Sequence, residues 1–66
     1  MREFTERLKI LRKRENMSIR ELSEAVGLSI ASISDWENGK NDIMSDNLLA
    51  LAKFFECTTD YLLGND

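Results

Sequence analysis

Signals that start and stop helices are crowded into the stretch from residue 18 to residue 29. Ser18 and Glu21 have the spacing of a capping box, in which each side chain binds the other residue's backbone amide at the start of a helix. Gly27 follows closely, and glycine favours the left-handed conformation that ends a helix. Ser29 is a good N-cap for another helix. The sequence therefore predicts a short helix of about two turns, a tight turn, and the start of a second short helix.

Apolar residues at helical spacing predict an inner face for each of three helices. Phe4, Leu8 and Leu11 recur at i, i+4 and i+7, which predicts an amphipathic first helix over about residues 2–15. The expected inner residues of the next two helices are Leu22, Ala25 and Val26 after Ser18, and Ile33 and Trp36 after Ser29. The pair Asn38-Gly39 is expected to end the third helix.

Two further helices complete the predicted fold. Ser45 or Asp46 opens a fourth helix, the most apolar segment of the chain, which we expect to form the floor of the core. Thr58 caps a short fifth helix that Gly64 ends. Because the chain has no proline and no strand-like alternation, it is expected to be all-α, a compact five-helix bundle. Its 66 residues fit one domain.

The residue types exclude several kinds of site. The single cysteine, Cys57, cannot form an internal disulfide, and without histidine the usual zinc ligand sets cannot be assembled. The chain also lacks a nucleophile with a positioned base, a glycine-rich phosphate loop and a recognisable carboxylate pair. We therefore expect no metal, no cofactor and no enzymatic activity. With no signal peptide and no apolar run near the ~18 residues of a membrane span, we expect a soluble, cytoplasmic protein.

Charge is distributed unevenly along the chain. The net charge is -3, but residues 1–20 carry +4 and residues 21–66 carry -7. Nucleic-acid binders usually carry a basic surface, so the acidic net charge argues against nucleic-acid binding. Exposed charges more than about 10 Å apart are largely screened at physiological salt, and a local basic patch can therefore act despite an acidic total.

Two short helices joined by a tight, glycine-containing turn are the pattern of a helix-turn-helix. Because many small helical bundles share this pattern, it predicts a plain bundle equally well. The order and spacing of the remaining residues are more specific. The segments concerned are Leu8-x-x-Leu11-Arg12, Met17-Ser18-x-Arg20-Glu21-Leu22-Ser23-Glu24-Ala25-Val26-Gly27-Leu28-Ser29, Ile33-Ser34-x-Trp36-Glu37-Asn38-Gly39-Lys40, Asn47-Leu48-Leu49-Ala50-Leu51-Ala52-Lys53 and Asp60-Tyr61-Leu62-Leu63-Gly64. Together they strongly resemble the Xre family, which includes the lambdoid phage repressors and Cro proteins, over nearly the whole chain.

The resemblance implies a lambda repressor-like DNA-binding domain over residues 1–66, with the helix-turn-helix at about residues 19–38. It implies a transcriptional regulator of phage or prophage type, a repressor that binds double-stranded DNA at a palindromic operator as a homodimer. The dimer surface would be the last helix or a further C-terminal domain beyond residue 66. In a bacterial or phage-infected cell, such a protein is expected at the nucleoid.

The same resemblance assigns roles to particular residues. The third helix becomes the recognition helix, and the residues expected to face DNA are Ser29, Ile30, Ala31, Ser32, Ser34 and Asp35. The expected phosphate or flanking contacts come from Ser18, Ile19, Arg20, Asn38 and Lys40, together with Ser29 at its helix start. Lys40 is equally well read as a solvated loop lysine. Arg12 is expected to pair with Glu37, the alternative being a solvated arginine on a charged helix.

The recognition helix lacks the usual base-reading side chains. No Arg, Lys, Asn or Gln lies between Leu28 and Glu37, so the common two-bond contacts to guanine and adenine cannot come from this helix. Ile30 or Ala31 could instead contact thymine methyl groups, and Ser32 and Ser34 could offer hydroxyls. Three interpretations of Asp35 stay open: it accepts from a cytosine amino group, it repels phosphates, or it is a solvated acid.

A different class of function competes with DNA binding. The apolar Ile19, Ile30 and Ala31, together with Asp35, could form the surface of a protein-interaction module, such as an antitoxin-like or anti-repressor partner. Ile43 and Met44, in the loop before the fourth helix, are expected to form a lid over the core rather than a partner surface. Exposure of either would reverse that expectation.

Overall fold

The computed structural model describes residues 2–65. Within that range the chain forms five helices and no strand: α1 (Arg2–Arg14), α2 (Ile19–Val26), α3 (Ile30–Glu37), α4 (Ser45–Phe55) and α5 (Thr59–Leu63). The prediction of an all-α, five-helix fold is therefore confirmed. Over the same residues, no helix combines the length and the apolar character that a bilayer crossing requires.

Side-chain caps set the helix starts where the sequence predicts them. The hydroxyls of Ser18, Ser29 and Thr58 each accept a hydrogen bond from the backbone amide three residues ahead. These bonds satisfy amides that a helix would otherwise leave unpaired at its first turn. Gly27 ends α2 with a φ of 72°, a left-handed conformation that costs a residue with a side chain about 1–2 kcal/mol. The turn between α2 and α3 is therefore defined at both ends.

The helices pack around a shared apolar core. Phe4 of α1 and Trp36 of α3 meet edge to face, with ring centroids 6.4 Å apart. The buried apolar residues come from all five helices and are Phe4, Leu8, Leu11, Leu22, Ile33, Trp36, Leu48, Leu51, Ala52 and Leu62. Each helix buries one face in this core and leaves the other to solvent.

Helix α1 is joined to both α3 and α5 by polar contacts. Thr5 Oγ1 donates to the Trp36 carbonyl at 2.7 Å. On the other side, the Arg7 guanidinium donates to the Tyr61 carbonyl and lies 4.5 Å from the centre of the Tyr61 ring, close enough for a cation–π contact. Helix α1 thereby fixes α3 relative to the rest of the core.

The expected inner face of α2 is wrong at one position. Ala25 is exposed, and Ser23 is buried instead. The Ser23 hydroxyl donates to the Arg20 carbonyl at 2.8 Å. Because this bond satisfies the polar group, a serine is tolerated on the core side of the helix.

Of the two residues expected to form a lid before α4, only one covers the core. Ile43 packs against the core, but Met44 is 75% exposed and covers none of it. Leu49 of α4 also faces solvent, although the other leucines of that helix are buried. Met44 occupies the N-cap position of α4, where its side chain makes no capping hydrogen bond. The expectation is therefore reversed for Met44.

Candidate nucleic-acid interface

The start of α2 is built by a reciprocal pair of hydrogen bonds. The Glu21 amide donates to Ser18 Oγ at 3.0 Å, and the Ser18 amide donates to Glu21 Oε1 at 2.8 Å. Arg20 is exposed beside this capping box, whereas Ile19 is half-buried and packs against the core. The accessible groups at this end are therefore the side chains of Ser18 and Arg20, together with the acidic Glu21.

The start of α3 has a similar cap without an acidic partner. Ser29 Oγ accepts from the Ser32 amide at 3.0 Å and donates to Ser32 Oγ at 2.8 Å. The first turn of α3 contains no acidic residue, so no carboxylate offsets the positive end of the helix dipole there. This helix start is the better suited of the two to a phosphate.

Helix α3 has one buried side and one open side. Ile33, Trp36 and Glu37 are buried. The opposite side, which we call the outer α3 face, consists of Ile30, Ala31, Ser32, Ser34 and Asp35. At about 100° per residue, Ala31 and Asp35 lie near the centre of this face, and the other three residues lie towards its margins. Ile30 and Ala31 are exposed, and the three polar residues are half-buried. The structure thus places five of the six sequence-predicted recognition residues on this face, and the sixth, Ser29, is the N-cap of the same helix.

The polar side chains of the outer α3 face are partly engaged within the protein. Asn38 Nδ2 donates to the Ser34 carbonyl at 2.9 Å and to Ser34 Oγ at 3.4 Å. Asn41 Nδ2 donates to Asp35 Oδ2 at 3.1 Å. Asn38 therefore acts as a cap on its own helix, and its amide nitrogen would have to leave Ser34 to reach a phosphate. The phosphate contact assigned to Asn38 stays a prediction.

Arg12 and Glu37 form a nearly buried ion pair between α1 and α3. Arg12 Nε lies 2.7 Å from Glu37 Oε2, and Nη2 lies 2.9 Å from Oε1. Arg12 Nη1 also donates to the Met17 carbonyl at 2.8 Å. The Glu37 hydrogen bond outweighs the desolvation of the guanidinium and raises the pKa of Arg12. The structure therefore holds Arg12 as a fixed cation at the junction of α1, α2 and α3.

The segment from residue 18 to residue 44, which contains the outer α3 face, carries few positive charges. Between residues 18 and 44, the bases are Arg20 and Lys40, and both are exposed. The exposed acids of the same segment are Glu21, Glu24 and Asp42. Asp35 adds a half-buried carboxylate at the centre of the face. Any binding to a polyanion must therefore depend on helix ends and shape more than on net charge.

The bond between Asn41 and Asp35 is a feature that the sequence does not signal. The two residues are six positions apart in the sequence, and their contact depends on the path of the loop after α3. The Lys40 amide also donates to the Asp35 carbonyl at 2.9 Å, which turns that loop back towards the helix. Gly39, with a φ of 70°, allows the reversal.

Comparison with known proteins gives consistent matches along the chain. Residues 8–62 match a family model described as helix-turn-helix. The repressor protein C2 of Salmonella phage P22 is 39% identical over 92% of this chain, which spans 28% of that protein. The transcriptional activator BcrR of Enterococcus faecalis is 38% identical over 97% of the chain and 31% of its own length. The regulator DicA of Escherichia coli is 34% identical over 92% of the chain and 45% of its own length.

The chain thus spans less than half the length of these relatives. A solved structure matches the fold as a whole. It is the crystal structure of the P22 c2 repressor in complex with a synthetic operator, with a TM-score of 0.87 and 38% sequence identity over 96% of both chains.

Proposed function

Because the chain belongs to the helix-turn-helix family, we propose that it is a DNA-binding transcriptional regulator, a repressor that binds a palindromic operator as a dimer. The observation that carries this proposal is the match, over 96% of the chain, to a repressor in complex with a synthetic operator. Since the relatives are much longer, we assign this chain the DNA-binding part of the task. Residues 1–66 act as one domain, with the helix-turn-helix at about residues 19–38, and we assign it no catalytic role.

In the proposed complex, α3 lies in the major groove with the outer α3 face against the base edges. The starts of α2 and α3 flank the groove, and their amides bind phosphates. The residues in these flanking positions are Ser18, Ile19, Arg20, Ser29, Asn38 and Lys40. The ion pair between Arg12 and Glu37 supports this arrangement, because it holds the end of α3 against α1.

Most of the candidate base-reading groups of the outer α3 face are small or apolar. Ile30 is 41% exposed at the first position of α3, where it can contact the methyl group of thymine in the major groove. Ala31 is exposed beside it. Ser32 and Ser34 offer hydroxyl oxygens that already have partners inside the protein. Discrimination by these four residues would therefore combine thymine methyl contacts with the shape of the DNA.

We further propose that the protein acts as a homodimer on DNA in the cytoplasm, at the nucleoid. One domain with few base contacts would discriminate poorly, whereas two half-sites about one helical turn apart double the number of contacts. The dimer surface would be α5 or a region beyond residue 66.

The competing interpretation, a protein-interaction module, is weakened by one observation. It requires a continuous apolar surface that includes Ile19, but Ile19 is half-buried and packs against the core. The apolar part of the candidate surface is then reduced to Ile30 and Ala31, with Asp35 one turn further along. This area is small for a stable protein partner.

The test begins with selection of binding sites from random DNA, followed by titration of the selected duplex over a range of salt concentrations. We expect a sequence-specific site. The salt slope should be shallow, about -2 per domain, because Arg20 and Lys40 are the only bases between residues 18 and 44. Selection that enriches no sequence would overturn the proposal.

An acidic substitution on the outer α3 face separates the two interpretations. Ile30→Asp should abolish binding to the selected duplex, because it places a carboxylate against the base edges. Ile10→Asp is the matched control, since Ile10 is an exposed isoleucine of α1. It should bind like the unchanged protein. Undiminished DNA binding by Ile30→Asp would exclude α3 as the recognition helix.

A further inference from the structure

Asp35 has an environment that restricts what it can contact on DNA. It is half-buried at the centre of the outer α3 face, one helical turn after Ala31. Asn41 Nδ2 donates to one carboxylate oxygen, Oδ2, at 3.1 Å. The Lys40 amide binds the backbone carbonyl of the same residue. The loop after α3 therefore holds Asp35 from one side, through Oδ2 and through the backbone carbonyl.

Among residues 2–65, no basic side chain forms an ion pair with Asp35. The two ion pairs found among residues 2–65 join Arg2 to Glu6 and Arg12 to Glu37, and neither involves Asp35. A carboxylate can only accept hydrogen bonds, so it is repelled by phosphates and by the acceptor atoms of bases. On a face that meets DNA, such a group is compatible with binding only where it meets a donor.

The major groove offers two amino donors. Cytosine presents its N4 amino group, and adenine presents its N6 amino group next to the N7 acceptor. A carboxylate that approaches adenine N6 also comes close to N7, which repels it. Cytosine has no such acceptor on its own major-groove edge, so it is the base that fits a carboxylate best.

We propose that Asp35 determines specificity by accepting a hydrogen bond from the N4 amino group of a cytosine in each half-site, with Asn41 as its positioning residue. This inference rests on the proposed function. Ala31 and Asp35 are one helical turn apart, about 6 Å, and successive bases on a strand are about 3.4 Å apart. The cytosine therefore lies one or two base pairs from the thymine contacted by Ile30 or Ala31.

The experiment uses the duplex selected by the unchanged protein and three derivatives that carry each other base pair at the cytosine position. The unchanged protein should prefer cytosine by about 5-fold to 150-fold, the range expected for one good base contact. Asp35→Ala should bind all four duplexes with similar affinity. Asp35→Asn should shift the preference to adenine, because adenine N7 can accept from an amide side chain while its N6 amino group donates to it.

Two further variants separate base reading from a general effect of charge. Asp42→Asn removes an exposed acid from the adjacent loop and should raise affinity equally for all four duplexes. Asn41→Ala should reduce the cytosine preference and leave the thermal unfolding midpoint unchanged. If the role of Asn41 were only structural, the substitution would lower the midpoint instead.

Each remaining outcome overturns a particular statement. If Asp35→Ala and Asp35→Asn tighten binding to all four duplexes by the same factor, Asp35 is only a repulsive acid and the cytosine assignment is wrong. If the selected site contains no cytosine near the thymine, the assignment is also wrong. If the unchanged protein selects no sequence at all, the proposed function fails, and the cytosine assignment fails with it.

Discussion

Arg12 donates hydrogen bonds from Nε and Nη2 to the two carboxylate oxygens of Glu37, and from Nη1 to the carbonyl of Met17. The two side chains are largely withdrawn from solvent, with 13% of the Arg12 side chain and 5% of the Glu37 side chain exposed. A single arginine thus connects α1, the turn before α2 and the last residue of α3. The orientation of the outer α3 face depends on this connection.

Removal of one member of the pair should strongly destabilise the fold. Arg12→Met leaves the Glu37 carboxylate buried without its partner, which costs about 3–5 kcal/mol in comparable buried pairs. A domain of this size has a total stability of about 3–10 kcal/mol, so the variant should be largely unfolded in mild denaturant. Chemical denaturation followed by circular dichroism measures the change.

The exposed pair of Arg2 and Glu6 on α1 provides the control. Their side chains are 87% and 57% exposed, and Arg2→Met should cost less than about 1 kcal/mol. The double variant Arg12→Met with Glu37→Leu should recover much of the lost stability, because no buried charge is left unpaired. Equal effects of Arg12→Met and Arg2→Met would show that the buried pair contributes little.

Alkaline pH should weaken the fold through Cys57. Burial raises the pKa of the Cys57 thiol, and the nearby Arg14 opposes this effect only in part. A group whose pKa is higher in the folded state contributes stability below its unfolded pKa, and that contribution is lost as pH rises through the folded pKa. Thiol alkylation rates over pH should give a higher midpoint for the folded chain than for the chain in denaturant.

Two variants check that result. Cys57→Ala should lose the part of the alkaline destabilisation that comes from the thiol, and Arg14→Ala should move the alkylation midpoint still higher. A midpoint at or below that of the unfolded chain would mean that burial does not govern this thiol.

Thymine methyl groups should contribute measurably to operator affinity. Each buried methyl group contributes about 0.8 kcal/mol, so replacement of a contacted thymine by uracil should weaken binding about fourfold. If Ile30 makes the contact, uracil should weaken binding less in Ile30→Ala than in the unchanged protein. If Ala31 makes it, uracil should weaken binding less in Ala31→Gly. Titrations of singly substituted duplexes measure these losses. Uracil at every thymine without loss of affinity would contradict methyl reading.

The sequence predicts local features well because their partners are close in the chain. Ser18 and Glu21 are three residues apart, and their reciprocal bonds are those of the predicted capping box. Gly27 likewise takes the left-handed conformation that its position predicts. These features define the turn between α2 and α3. The contact between Arg12 and Glu37, by contrast, was expected from family resemblance and not from spacing.

Features set by tertiary packing could not be predicted in the same way. Ser23 replaces Ala25 on the buried side of α2, because the edge of a helix face depends on where neighbouring helices lie. Met44 is exposed because the loop before α4 buries Ile43 alone. The Asn41 contact with Asp35 depends on the same loop. The environment of the Asp35 carboxylate is therefore visible only in the structure.

The central claim is that the outer α3 face binds specific DNA, and a nuclear magnetic resonance titration with the selected duplex tests it most directly. The largest amide shift changes are expected at residues 18–20, at residues 29–35 and at Lys40, and a scrambled duplex should produce much smaller ones. Changes confined to α4 and α5, or equal changes with both duplexes, would contradict the claim.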